Sequence, residues 1–441
     1  MNLTTVIVLL SLAFTTVGCT HLTEIRTDHY STPIMSPKSE AELLADCIPG
    51  HKTENEIRNS IEDYGDHLIG FVEFDDQGWY YNNGDQLQVL LRRMRSELDN
   101  PQNADTGIVT LVFVHGWHHN AHDNDCNVNE FRAMVKLTSD RLKNESEQGP
   151  DRRSQKVIGI YVGWRGEAVD APLLRYTTIL DRRSTAEHVA KGSVRELFAE
   201  IRKLQYKDQQ DSEKAKVKSR MHTIVIGHSF GGLIAYHSLA QALLNDLALT
   251  RPTASIDCAP FATPAFSWPN QIVLINPAFE ASRFEAIHNA EMPDLGCHYQ
   301  RDRPRLVVLT AENDGATGKF FPAFRFVSTL FEKYNATSDQ TKEDERNTNL
   351  HTIGFVDRYK THHLCLEDGR AVLSEDRRPD SSGTSDPNAP VWVVTATPDI
   401  IQGHDGFLYT SHGANYPPPY LLYWLLDVFL KHGSELGQCN D

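Results

Sequence analysis

No apolar run in this 441-residue chain is long enough to span a bilayer. The two candidates, residues 6–14 and 419–431, both fall short of the roughly 18–20 residues a membrane helix needs. There is no C-x-x-C pair, so neither a zinc ribbon nor a thioredoxin-like redox centre has its required spacing. H-E-x-x-H is absent as well. The stretch His118-His119-Asn120-Ala121-His122-Asp123 lacks the H-x-H-x-D-H order of metallo-β-lactamase-like enzymes. Its side chains therefore read as loop hydrogen-bonders, with His118 and His119 near the mouth of a site, and no metal or organic cofactor is expected. Cationic residues are the minority, 43 Lys and Arg against 59 Asp and Glu, for a net charge of −16. No Lys/Arg-rich face offsets that charge, which argues against a nucleic-acid partner. No internal repeat is visible, which removes solenoids and propellers.

What is present begins with a targeting segment. Residues 6–14 form a short apolar core followed by Thr16-Val17-Gly18-Cys19. A small residue before cysteine after such a run resembles the lipobox of bacterial lipoproteins, in which the cysteine is acylated and becomes the mature N-terminus. Thr16 stands where Leu is usual, and residues 1–5 carry no Lys or Arg, so cleavage by ordinary signal peptidase near the same point stays open. The expected organisation is a signal peptide at 1–18 and a polar tether and N-terminal extension at 19–60. One folded domain then covers 61–441, with an insertion at about 319–390. An exported protein of the bacterial envelope is expected, lipid-anchored through Cys19 or secreted. With Cys19 lipidated, Cys47, Cys126, Cys258, Cys297, Cys365 and Cys439 remain, an even number that permits up to three disulfides. Buried free thiols are the alternative.

Between residues 67 and 395, β-rich runs alternate with helical patterns. Runs at 108–114, 156–163, 271–275, 305–310 and 391–395 are continuously apolar, as strands covered on both faces of a parallel sheet must be. Helical periodicity spans 86–98, 129–142 and 181–204, and 419–431 reads as an apolar closing helix. A small cap is expected at 168–179, a charged linker at 207–220, and mobile polar segments at 338–349 and 375–388. This alternation is the pattern of an α/β protein with a mostly parallel central sheet and helices on both faces.

The chain is organised around Thr223-Ile224-Val225-Ile226-Gly227-His228-Ser229-Phe230-Gly231-Gly232. A β-branched run enters G-x-S-x-G, and a helix follows with Leu233, Tyr236, Ala240, Leu243 and Leu244 on one face. Strand, G-x-S-x-G and helix together make the context of a nucleophile elbow, with glycines where side chains would collide with neighbouring backbone. The strand at 108–114 runs into His115-Gly116-Trp117. The strand at 305–310 leads to Glu312 and Asp314, and the last strand leads to Gly403-His404-Asp405-Gly406.

These residues resemble the α/β-hydrolase superfamily over about 108–431. Trp164-Arg165-Gly166, followed by Asp181-Arg182-Arg183-Ser184-Thr185-Ala186, is also similar to an uncharacterised bacterial branch of that superfamily, which supplies no substrate. The resemblance implies an α/β-hydrolase fold and a serine hydrolase with Ser229 as nucleophile and His404 as base. Asp314 would be the acid, with Glu280 and Glu312 as rivals, and the Trp117 and Phe230 amides would form the oxyanion hole. Carboxylic esters are the default substrate by analogy. Aromatic segments at 261–268 and 320–331 favour an apolar acyl group or a lipid, with amides and thioesters open. The competing class is a non-catalytic binding lipoprotein on the same scaffold.

Overall fold

The computed structural model describes residues 23–30, 33–39, 42–43, 56–100, 103, 106–148, 155–166, 175–215, 221–249, 268–291, 304–329, 332–333, 338–375, 390–406, 420–430 and 437–439. The signal segment, Cys19, the 376–389 part of the insertion and nearly all of the 261–268 aromatic loop lie outside these residues.

Among the described residues ten strands form one sheet. They are β1 (Ile61–Asp63), β2 (His67–Phe74), β3 (Ile108–Val114), β4 (Lys156–Trp164), β5 (Met221–His228), β6 (Gln271–Ile275), β7 (Leu306–Ala311), β8 (His362–Glu367), β9 (Arg370–Glu375) and β10 (Val391–Ala396). The order is β1-β2-β4-β3-β5-β6-β7-β10-β8-β9, and every pair is parallel except β1 with β2 and β8 with β9. Helices α1 (Asp85–Leu98), α2 (Cys126–Gln148), α3 (Arg175–Lys191), α4 (Val194–Ala215), α5 (Phe230–Leu249), α6 (Glu285–Glu291), α7 (Phe321–Ser328), α8 (Asp339–Leu350) and α9 (Tyr420–Leu430) accompany it.

The two-residue period of a strand divides the core. In β3, Ile108, Val112 and Val114 join a cluster with α1, α3, α4 and α5, whereas Val109, Leu111 and Phe113 join the opposite cluster with α2 and α9. Both faces are therefore covered, and the strand has no polar side to show. The fold is α/β, with a mostly parallel sheet flanked by helices. Among the described residues no helix is long and apolar enough to cross a membrane.

Several segments differ from expectation. The apolar periodicity through 181–204 belongs to two helices, because Gly192 and Ser193 pass so close to the 78 turn that a Cβ on Gly192 would lie 2.4 Å from the Gly78 carbonyl oxygen. Helix α4 runs on to Ala215, so most of the charged stretch read as a linker is helical. Residues 175–179, assigned to a cap, belong to α3. The polar stretch at 338–349, expected to be mobile, forms α8, started by a capping box between Ser338 and Thr341. Within the insertion, β8 and β9 extend the sheet, and Cys365 is disulfide-bonded to Cys439 across 74 residues. Cys126 is disulfide-bonded as well.

The N-terminal extension is not a tether throughout. Arg26 is fully buried, with its guanidinium 3.9 Å from the centre of the Phe71 ring and 2.9 Å from Glu62. It also donates to the Ala121 and Ile57 carbonyls at 2.7 and 2.9 Å. Arg132 holds the other oxygen of Glu62 at 2.9 Å. Burial alone would raise the Glu62 pKa, but Arg132 and Arg26 outweigh it and hold the carboxyl down at about 2. Removing this carboxylate takes the buried Arg26 out of its salt bridge and leaves Arg132 with Asp123 alone. Glu62→Ala is expected to lower the unfolding free energy by about 3–5 kcal/mol in urea titration. Because the folded pKa is depressed, the stabilisation is present above the ordinary glutamate range and lost as pH falls toward about 2. The acid-unfolding curves of wild type and variant should therefore converge, and parallel curves would exclude the assignment.

Candidate active site

Strand β5 ends at His228 and α5 begins at Phe230, leaving Ser229 alone between them at φ 55°. A left-handed conformation costs a non-glycine residue about 1–3 kcal/mol, so the surroundings must enforce it. They do so by close backbone approach. A Cβ on Gly231 would lie 2.0 Å from the Val114 carbonyl oxygen, and one on Gly227 would lie 2.6 Å from that of Gly231. The Ser229 N–H donates to Ile275 at 3.0 Å, and its carbonyl accepts from Gly232 at 3.0 Å and Ala278 at 3.1 Å. The backbone is pinned on both sides, and the hydroxyl is turned toward the carboxyl ends of the strands.

There it meets His404. Ser229 Oγ lies 2.8 Å from His404 Nε2, and His404 Nδ1 lies 2.9 Å from Asp314 Oδ2. With a carboxylate on Nδ1, that nitrogen carries the proton and Nε2 accepts from the serine. Asp314 is held in turn by the N–H groups of Ala316 at 2.8 Å and Thr317 at 3.2 Å, and by the Thr317 hydroxyl. Burial disfavours protonation of His404, but the hydrogen bond and charge of Asp314, with help from Asp405, more than offset it. The imidazole pKa is raised as a result. Asp314 moves the other way: burial would raise it, and His404 and Thr317 lower it below the ordinary carboxylate range.

The His115-Gly116-Trp117 loop backs onto the serine, since a Cβ on Gly116 would lie 2.9 Å from that of Ser229. Its seat is the end of β4. Trp164 donates its backbone N–H to His115 Nε2 at 3.0 Å and its indole N–H to the His115 carbonyl at 2.9 Å, and the two rings stack 5.4 Å apart. Burial drives the His115 pKa down to about 4, so the ring is neutral and Nε2 can accept. Gly166 accepts from the His118 N–H at 2.9 Å, and a Cβ there would lie 2.6 Å from the Gly116 oxygen. Trp117 packs partly buried beside this seat. Phe230, as the first residue of α5, has an N–H with no acceptor a turn behind it in the helix.

The other candidates are engaged elsewhere. Glu280 is gripped by Arg183, by Arg283 at 2.8 Å and by Arg325 at 3.0 Å, and these charges outweigh burial to lower its pKa. Glu312 pairs with His363 at 3.1 Å. Among the histidine-rich loop residues, His119 pairs with Asp125 at 3.0 Å, His122 with Glu56, and Asp123 with Arg132 at 2.6 Å. His228, His404 and Asp405 bring three ligand-type atoms within 4.8 Å of one another. His404 is already hydrogen-bonded through both nitrogens, and His228 Nε2 faces a carbonyl, so the set has few lone pairs to offer a metal. An open cavity of about 560 Å³ lies around Arg183, Glu280 and Arg325, but none of Ser229, Asp314 or His404 lines it.

Sequence reading missed two supports of the site. Thr317 was legible in principle, because an Asp before a turn accepts from backbone two and three residues on, which brings Thr317 beside Asp314. The Trp164–His115 seat was not, because its partners are 49 residues apart.

No family model and no curated protein matches the chain. Among solved structures it is similar to the phospholipase PlaB of Legionella pneumophila, in complex with thio-NAD, at 13% identity and a TM-score of 0.24, covering 60% of this chain and 48% of that one. An uncharacterised protein from Pseudomonas aeruginosa is similar at 11% identity and a TM-score of 0.22, covering 74% of this chain and 46% of that one. The chain thus matches about half the length of each.

Proposed function

We propose that this chain is a serine hydrolase of the α/β-hydrolase fold that cleaves carboxylic esters through an acyl-enzyme. The observation that carries the proposal is His404, bonded through one nitrogen to Ser229 at 2.8 Å and through the other to Asp314 at 2.9 Å. The chain order Ser, Asp, His, after β5, β7 and β10 of one sheet, supports the same reading.

In the proposed reaction Ser229 Oγ attacks the ester carbonyl carbon while its proton passes to His404 Nε2. The carbonyl oxygen becomes an oxyanion held by the Trp117 and Phe230 amides. The carbon–oxygen bond to the alcohol then breaks, and His404 returns the proton to the leaving alkoxide. Water, deprotonated by the same nitrogen, attacks the acyl carbon, and the bond to Ser229 Oγ breaks as His404 returns that proton to the serine and the acid leaves. Asp314 keeps the imidazole in the required tautomer and stabilises it while charged. No step calls on a metal or an organic cofactor.

An apolar acyl group or lipid is the proposed substrate. Its support is the segment directly after Asp314, where Phe320 and Phe326 are 63% and 48% exposed and Val327 stands beside them. Export and lipid anchoring through Cys19 complete the proposal and rest on the sequence alone.

The test is hydrolysis of p-nitrophenyl esters of increasing chain length by protein lacking residues 1–19, beside fluorophosphonate labelling. Ser229→Ala and His404→Ala are expected to abolish turnover, and Asp314→Asn to cut kcat by about 10⁴-fold. Activity unchanged in Ser229→Ala would end the serine-hydrolase reading. Intact labelling without ester turnover would move the substrate to amides or thioesters, and neither labelling nor turnover would favour the binding lipoprotein. The pH profile gives an independent check. The base must be neutral, and Asp314 raises the pKa of His404, so activity should fall as pH drops through a point above the ordinary imidazole value of about 6.5. In Asp314→Asn that acid limb should move to lower pH.

A further inference from the structure

Strands β5, β6, β7 and β10 are consecutive neighbours in the sheet. Ser229 follows β5, Asp314 follows β7 and His404 follows β10, so the end of β6 lies between the serine strand and the acid strand. Asn276 occupies that place, fully buried and with φ 44°. Its side-chain oxygen accepts the Ala311 N–H at 2.9 Å, at the end of β7. Its side-chain nitrogen donates to the Gly403 carbonyl at 3.1 Å and the His404 carbonyl at 2.8 Å. Its own N–H donates to the Leu309 carbonyl at 2.8 Å. The partners fix the amide orientation, because an N–H needs the oxygen and two carbonyls need the NH₂.

We propose that Asn276 is a positioning residue that sets the distance between Asp314 and His404. This inference rests on the serine-hydrolase reading of the site. The strand carrying the acid is rigid, but the loop carrying the base is not part of the sheet. One buried amide ties the two, binding the root of the acid's loop with its oxygen and the backbone of the histidine with its nitrogen. Other contacts finish the clamp. His228 Nε2 lies 2.9 Å from the same His404 carbonyl and must carry the proton there, and Asn313 accepts the Gly403 N–H at 2.8 Å. The His404 carbonyl thus receives two donors, enough to fill both lone pairs. No side chain of this group touches the reacting atoms. Asn276 acts on the His404 ring through its backbone, and a shift of about 1 Å at a reacting group can cost about 100-fold in rate.

Truncation of Asn276 frees the loop and loosens the bond from His404 to Asp314. The groups facing His404 are Asp314, Asp405, His119 and His228. Weakening the Asp314 contact leaves burial and His119 to lower its pKa, opposed by Asp405, with the neutral His228 ring 5.1 Å away. The test measures the rate of fluorophosphonate labelling between about pH 5 and 9 for the full chain and for Asn276→Ala, Asn276→Gly, Asn276→Asp and Ser229→Ala, with thermal unfolding of each. Glycine takes a positive φ without strain, so Asn276→Gly removes the side chain alone and stays informative if Asn276→Ala folds poorly. Asn276→Ala and Asn276→Gly are expected to label about 10- to 100-fold more slowly, with the acid limb at lower pH. Asn276→Asp keeps the acceptor for Ala311 but loses the donor, and should label as slowly. Wild-type rate and limb in Asn276→Gly, at whatever melting temperature, would overturn the proposal, as would wild-type labelling of Asn276→Asp. Labelling retained by Ser229→Ala would instead remove the underlying reading and the inference with it. An unlabelled Ser229→Ala beside a wild-type-like Asn276→Gly overturns the inference alone.

Discussion

The constraint on which the rest of the site depends is the contact between the start of α5 and the end of β3. A Cβ at 231 would stand 2.0 Å from the Val114 oxygen and 2.5 Å from that of His115. No side chain fits, and no rotamer change by a neighbour relieves a clash with backbone. With glycine there, the helix packs directly on the carbonyls of β3, and the turn between β5 and α5 must be tight enough to leave Ser229 at positive φ. The same approach places His115 and Gly116 against the serine, so the strain at residue 229 and the seating of the 115–117 loop have one cause.

From that point outward, the geometry is a matter of neighbouring strand ends. A parallel sheet sends every strand out at the same edge, so residues far apart in sequence converge at the loops that follow. Ser229 and His404 are 175 positions apart and still within hydrogen-bond reach. The long insertion between β7 and β10 does not disturb this, because β8 and β9 add to the sheet on the far side of β10. Growth at the edge leaves the central strands in register.

What could be read from sequence follows the range of the interactions. The elbow was legible because its glycines, serine and amphipathic helix are contiguous. Asp314 and His404 were legible as residues just past β-rich runs, and the carboxylate of the rival Glu280 is taken up by three arginines. Segments whose structure comes from distant partners were not legible. Helix α8 has no apolar stripe. It is held by its Ser338 cap and by bonds from the Ser282 hydroxyl to the Asn349 side-chain oxygen at 2.8 Å and from Arg325 to the Asn349 carbonyl at 3.1 Å. The break between α3 and α4 comes from the 78 turn, more than a hundred residues upstream, and Arg26 reads as tether until Glu62 and Phe71 surround it. Periodicity records which face a segment buries, and it carries no record of which partner interrupts it.

Burial also sorts the charge states of the histidines. His115 and His228 are both enclosed and held neutral, their pKa values pushed down to about 4, with the charge of His404 adding to burial for His228. A neutral ring offers one donor and one acceptor, and the partners dictate which nitrogen is which. At His115, Nε2 receives the Trp164 N–H, and at His228, Nε2 faces the His404 carbonyl and must donate. His404 is less enclosed, its side chain 20% exposed, and Asp314 compensates its charge, so it alone of the three has a raised pKa. Three histidines near one serine thus divide into two fixed hydrogen-bonding parts and one that can take up a proton. The difference lies in which of them has a buried carboxylate on Nδ1.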